Sequence, residues 1–127
     1  MIDHISMPVT DYARSKALYA AAFNAIGWTL LVEATPANTE GHVPACGFGE
    51  DQPIVWIVGG QVGDGCHVAV RVPTRDAVAA FHAAALRAGA TDNGAPGPRP
   101  HYGDTYYAAF VRDFDGHNVE AVCYATA

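Results

Sequence analysis

Asp3-His4-Ile5-Ser6-Met7 and Cys66-His67-Val68-Ala69-Val70 lie about half of the 127-residue chain apart. Each is apolar and β-rich, and each carries a histidine at the same place. The residues after each segment are also alike. A proline (Pro8, Pro73) ends the strand, and a threonine (Thr10, Thr74) is suited to cap a helix. An alanine-rich helical stretch comes next, and a glycine (Gly27, Gly89) stops it. The chain therefore reads as two copies of one small unit.

Outward from those segments, the pattern predicts helices over residues 10–26 and 74–88. The stripe expected to be buried is Leu18, Ala22 and Ile26 in the first, with Tyr19 and Phe23 beside it. In the second it is Val78, Phe81, Ala85 and Leu86. Strands are expected at 28–33, 45–49 and 53–58 in the first half. In the second half they are expected at 90–93, 105–112 and 118–124. Pro96, Pro98 and Pro100 assign 94–104 to a loop, and Asp113-Phe114-Asp115-Gly116 reads as a turn. The four glycines Gly59, Gly60, Gly63 and Gly65 mark a linker. The order is βαβββ twice, an α+β fold of two modules, 1–60 and 65–127, within one domain.

Alternation along a strand separates two faces. Val68, Val70 and Val72 oppose His67, Ala69 and Arg71. Val119, Ala121 and Cys123 oppose Asn118, Glu120, Val122 and Tyr124. Ile5 and Met7 oppose His4 and Ser6. The apolar sets require helix cover; the other sets form a polar, open face. Joining the two open faces gives a cleft lined by His4, His67, Arg71 and Glu120. A carboxylate buried there without a partner costs several kcal/mol. Two imidazoles and a metal ion resolve that cost, and two histidines with one carboxylate form a facial triad with open positions. Taken singly, each residue has a plainer alternative: a strand histidine that only hydrogen-bonds, or a Glu120 that pairs with Arg71. The repeat favours the triad.

The remaining histidines carry less. His82 falls mid-helix and is expected to face solvent, His42 lies in a loop, and His117 is expected to be exposed. His101 and Tyr102 lie in a loop able to cover a cleft. Cys66 and His67 are neighbours in a strand and point to opposite faces, which makes them a poor nucleophile–base pair.

Composition excludes several classes. The chain is 50% hydrophobic and 16% charged, which is globular rather than disordered. A net charge of −6 argues against a nucleic-acid partner. No apolar run approaches the roughly 20 residues of a membrane helix. No basic, apolar leader opens the sequence, and the three cysteines form no CxxC. Reduced thiols in a cytoplasmic protein are the expectation.

Beyond these patterns, the sequence resembles the vicinal-oxygen-chelate superfamily of glyoxalases, bleomycin-resistance proteins and extradiol dioxygenases. The resemblance rests on Ile2-Asp3-His4-Ile5, Val9-Thr10-Asp11, Ser15-Lys16-Ala17-Leu18-Tyr19, Gly27-Trp28 and His67-Val68-Ala69-Val70. Most specific is the stretch from Tyr106 through Arg112-Asp113-Phe114-Asp115-Gly116-His117-Asn118-Val119-Glu120 to Val122. It covers nearly the whole chain, departing where the family turn often has proline in place of Phe114. It implies paired βαβββ modules whose mixed sheets curl around a central metal cleft, commonly in homodimers.

Carried over by position, His4, His67 and Glu120 are the metal ligands. Trp56 stands at the fourth place, so the four-ligand pattern of a glyoxalase I is broken. The implied protein holds one divalent metal (Fe, Mn, Zn or Ni) and acts on a small-molecule substrate that chelates it through vicinal oxygens, as a lyase, isomerase or dioxygenase. Glu120 is then catalytic as well as a ligand. Arg71 is expected to bind an anionic group and Trp56 to stack on the substrate, with His101, Tyr102 and Tyr106 as further contacts. The alternative is metal-free sequestration of a drug in the same cleft.

Overall fold

The computed structural model describes residues 1–39 and 41–126. The first module comprises β1 (Ile5–Val9), α1 (Tyr12–Asn24), β2 (Thr29–Ala34), β3 (Ala45–Gly49) and β4 (Val55–Gly59). The second comprises β5 (His67–Arg71), α2 (Arg75–Arg87), β6 (Thr91–Pro98), β7 (Tyr107–Arg112) and β8 (Asn118–Cys123). Each module forms one four-stranded mixed sheet, ordered β1-β4-β3-β2 and β5-β8-β7-β6. In both, the first strand pairs parallel with the last. The expected βαβββ repeat is present, but as two separate sheets that do not close on one another.

Local chemistry explains most boundaries. Thr74 caps α2 as expected, accepting from the Ala77 N–H at 3.0 Å. At α1 the cap is Asp11 rather than Thr10; its carboxylate accepts from the Arg14 N–H. Thr10 is drawn elsewhere, its hydroxyl donating to Asp115 across 2.7 Å. Both helices end one to two residues before the expected limits, ahead of Gly27 and Gly89, whose φ of 85° and 110° suit glycine alone. Pro8 does not end β1 but sits inside it. That is tolerable because β1 is an edge strand. For the same reason β6, also an edge, runs on through Pro96 to Pro98, where the prolines had suggested a loop. It does so with irregular register around Gly94 and Gly97.

Two helix faces differ from expectation. Leu86 is exposed and His82 is buried. At about 100° per residue Leu86 lies about 80° from Val78, whereas Ala85 lies about 20° away. The buried stripe is therefore Val78, Phe81 and Ala85. His82 flanks it and bonds Asp92 of β6 across 2.9 Å.

One core serves both modules. Met7, Phe48 and Ile57 from the first sheet join Val70, Val111 and Val119 from the second in a single buried cluster. The helices meet inside it, where the Phe23 and Phe81 rings lie 6.5 Å apart. Because each sheet turns its helix-covered face to this shared core, the two open faces look away from it. Among the described residues no helix is long and apolar enough to cross a membrane.

A second set of contacts joins the modules at the β7–β8 turn. The Tyr19 hydroxyl donates to Oδ2 of buried Asp113 at 2.6 Å. Arg14 covers the Phe114 ring, its guanidinium carbon 3.6 Å from the centroid. His117, expected to be exposed, is 1% exposed. Its Nδ1 accepts from the Cys66 N–H and its Nε2 donates to the Pro8 carbonyl. Sequence position after a turn gave no hint of this, because both partners are remote in the chain.

Tyr19→Phe removes the hydroxyl that pairs Oδ2 of Asp113 and leaves that oxygen without its donor in the interior. A loss of about 1–3 kcal/mol in urea denaturation is expected. An unchanged midpoint would show that this link contributes nothing to stability.

Candidate metal centre

Alternation along β8 puts Val119, Ala121 and Cys123 into the core and Glu120 on the open face of the second sheet. Its cross-strand neighbours are Ala69 and Phe110. Glu120 is nevertheless only 2% exposed, and a carboxylate so enclosed needs partners. It has two. His67 Nε2 lies 3.0 Å from Oε1. The Tyr106 hydroxyl donates to Oε2. Burial, and then the adjoining Glu120 carboxylate, push the Tyr106 phenol well above its ordinary pKa, so it stays a proton donor.

His67 is oriented from behind. Its Nδ1 lies 3.0 Å from the Asn118 carbonyl, which can only accept, so Nδ1 donates there, and Nε2 partners Oε1 through a second ring proton or through a cation held between the two. Its ring lies against Phe110, centroids 6.1 Å apart and planes 24° from parallel. Arg99 backs Phe110 from 5.5 Å and is itself tied to the Ala95 and Gly97 carbonyls. His67, Tyr102, Tyr106, Phe110, Asn118 and Glu120 line a cavity of about 540 Å³. Composition and spacing gave no reason to single out Phe110, Arg99 or the Asn118 carbonyl. Their roles depend on cross-strand register and on backbone atoms.

The arrangement suits a divalent ion in part. A histidine whose Nδ1–H is committed to a carbonyl offers Nε2 as a ligand of fixed tautomer. An Nε2 and a carboxylate oxygen 3.0 Å apart are spaced like neighbouring ligands of an ion with bonds of about 2.0–2.2 Å. A third ligand is not within reach. Among the described residues no group of three His, Cys, Asp or Glu is placed to hold a metal.

His4 belongs to the other sheet. It precedes β1, and its Nδ1 pairs with Asp3 at 2.6 Å. It shares a groove with His67 between β1 and β5, but Glu120 does not line that groove. It also lines a cavity of about 670 Å³ on the open face of the first sheet, with Ser6, Pro8, Trp56 and Val58. The single chain thus parts the expected triad, two members on one face and one on another. Trp56 lies in the His4 cavity. A Cβ on Gly47 would fall 2.7 Å from Pro53 and 3.0 Å from the indole, so only glycine lets the Trp56 ring rest there.

The other expected contacts divide likewise. Arg71 makes no pair with Glu120; its guanidinium carbon sits 4.8 Å from the Tyr124 centroid. Tyr102 and Tyr106 form one aromatic wall, centroids 5.2 Å apart. The His101 ring lies tilted against Tyr102, centroids 4.1 Å apart, and lines a neighbouring cavity. Cys66 Sγ lies 3.4 Å from His117 Nδ1. That nitrogen already accepts the Cys66 N–H, and burial with the Asp113 charge raises the thiol pKa. Alkylation of Cys66 by iodoacetamide at neutral pH, monitored by mass spectrometry, is expected to be slower than that of a free small thiol. Faster labelling would mark an activated thiolate.

Comparison with known proteins agrees with this architecture. No curated protein matches the chain. Among solved structures, a glyoxalase/bleomycin resistance protein from Albidiferax ferrireducens T118 superposes with a TM-score of 0.75 at 22% identity, over 95% of this chain and 96% of that one. A variant of the genomically encoded fosfomycin resistance protein FosX from Listeria monocytogenes, complexed with Mn(II) and dihydroxypropylphosphonic acid, gives 0.67 at 18% identity, over 95% and 87%. A glyoxalase I variant from Zea mays gives 0.69 at 20%, over 95% of this chain and 43% of that one. The family model described as Glyoxalase/Bleomycin resistance protein/Dioxygenase superfamily matches residues 1–121, and the chain belongs to that superfamily.

Proposed function

We propose that this protein is a divalent-metal-dependent enzyme acting on a small molecule that binds the metal through two neighbouring oxygens. The observation that carries the reading is the buried Glu120 carboxylate with His67 Nε2 at 3.0 Å, its tautomer set by the Asn118 carbonyl. His67 and Glu120 hold the metal together with His4 from a second copy of the chain. An ion held there, one of Fe, Mn, Zn or Ni, would supply Lewis-acid chemistry to the substrate oxygens.

The packing is the reason for a second copy. The helices of one chain share a core, so its two open faces cannot close on each other. A twofold dimer lays the first sheet of one protomer over the second sheet of its partner, and does so twice. Each cleft then gains His4, Ser6 and Trp56 from one side and His67, Tyr106 and Glu120 from the other. Trp56 stacks on the substrate, and Tyr102 and His101 narrow the entrance. Arg71 binds an anionic group once released from Tyr124. Glu120 also serves as the group that takes up or returns a substrate proton.

A second reading has its own support. Trp56 lines a cavity, its ring seated where Gly47 leaves room for it, which suits a stacking platform for an organic ligand without a metal. Quenching of tryptophan fluorescence by an organic cation, unaffected by chelator, would favour that reading.

Elemental analysis after reconstitution is expected to give one metal per chain, lost in His4→Ala and in Glu120→Gln. Mixing these two variants after unfolding and refolding tests the shared site. Random reassortment makes half of the dimers mixed, each with one intact site, so roughly a quarter of the wild-type metal content returns. No recovery would remove the shared site, and no metal in wild type would remove the metal reading.

A further inference from the structure

We propose that Tyr106 is a positioning residue for the metal site: its hydroxyl engages Oε2 of Glu120 and leaves Oε1, beside His67 Nε2, as the one oxygen offered to an ion. This rests on the metal reading above and goes beyond it by assigning the way Glu120 binds.

The geometry is specific to each oxygen. Oε1 faces His67 Nε2 at 3.0 Å. Oε2 faces the Tyr106 hydroxyl. Tyr106 precedes β7 and is locked in place from the loop side. Its N–H bonds the Gly103 carbonyl, and its carbonyl accepts the Arg99 N–H at 2.8 Å. Its ring is braced by Tyr102 and, edge-on, by Tyr124 at 5.3 Å. A carboxylate with both oxygens free can turn about its last bond and chelate an ion through both. With Oε2 bonded to a fixed phenol, that rotation is stopped and chelation through both oxygens is blocked. One-oxygen binding suits a small ion of low coordination number such as Zn(II). Binding through both oxygens suits a larger ion such as Ca(II).

Tyr106→Phe removes only the hydroxyl and keeps the ring packing. Affinities for Zn(II) and Ca(II) are measured by competition with a chromophoric chelator, for wild type, Tyr106→Phe and Tyr19→Phe. The Tyr19 variant is the control, since it loses a comparable phenol–carboxylate bond far from Glu120. In Tyr106→Phe a roughly 10- to 100-fold loss for Zn(II) is expected, the usual effect of removing a group that orients a ligand. The loss for Ca(II) is expected to be smaller, while Tyr19→Phe binds both ions as wild type does. Wild-type affinities in Tyr106→Phe would overturn the assignment and leave the metal site standing. Equal losses in the two variants would overturn it in favour of general destabilisation. Absence of binding by wild type would overturn both it and the metal reading.

Discussion

Phe23 of α1 lies 6.5 Å from Phe81 of α2, ring centroid to ring centroid, and around that contact the helix-facing side chains of both sheets close into one core. Each module alone is a four-stranded sheet with a single helix, too small to bury an apolar face well. Packing helix on helix lets each module complete the other. The same choice fixes where the chemistry can occur. With both covered faces turned inward, the open faces carrying His4 and Glu120 are turned apart. Among the described residues of one chain, the two are not brought into one ligand group.

The turn between β7 and β8 ties the modules together by polar contacts. Asp113 receives the Tyr19 hydroxyl, Asp115 receives Thr10, and His117 reaches the Pro8 carbonyl. All three contacts run from the second module to the first: two to Pro8 and Thr10 around the end of β1, and one to Tyr19 in the middle of α1. The most family-specific stretch of the sequence therefore does two things. Its middle, from Asp113 to His117, joins the modules, and Glu120, near its end, projects into the open face. Tyr19, Asp113 and His117 are buried but paired, so their desolvation is offset. His117 shows the economy of the arrangement. A neutral imidazole has one donor and one acceptor, and both are used between backbone groups of different modules.

Glu120 is built on the same rule further along β8. It is buried, both of its oxygens are engaged, and each partner is held from behind. Asn118 and Phe110 fix His67, and the 99–106 loop fixes Tyr106. Rigid support of this kind separates the His67–Glu120 pair from an incidental surface ion pair, which contributes little.

Much of this was legible in the residues themselves. Alternation alone placed Val70, Val119 and Ala121 in the core and put His67 and Glu120 together on the opposite face. The 3.6-residue period found the buried stripes of both helices, apart from Ile26, which lies past the end of α1 and is half-buried, and from Leu86 and His82. Capping chemistry found Thr74. These succeed because they depend only on neighbours a few positions away. Local chemistry failed at Thr10, which a distant Asp115 claims, and at His117, whose partners lie 51 and 109 residues away. Nor does it place His4 relative to His67 and Glu120. Sequence parity says which face of a strand a histidine occupies, but not which way that face turns once two modules have packed. That is decided by the helix–helix contact, a long-range burial of apolar surface that no local pattern encodes.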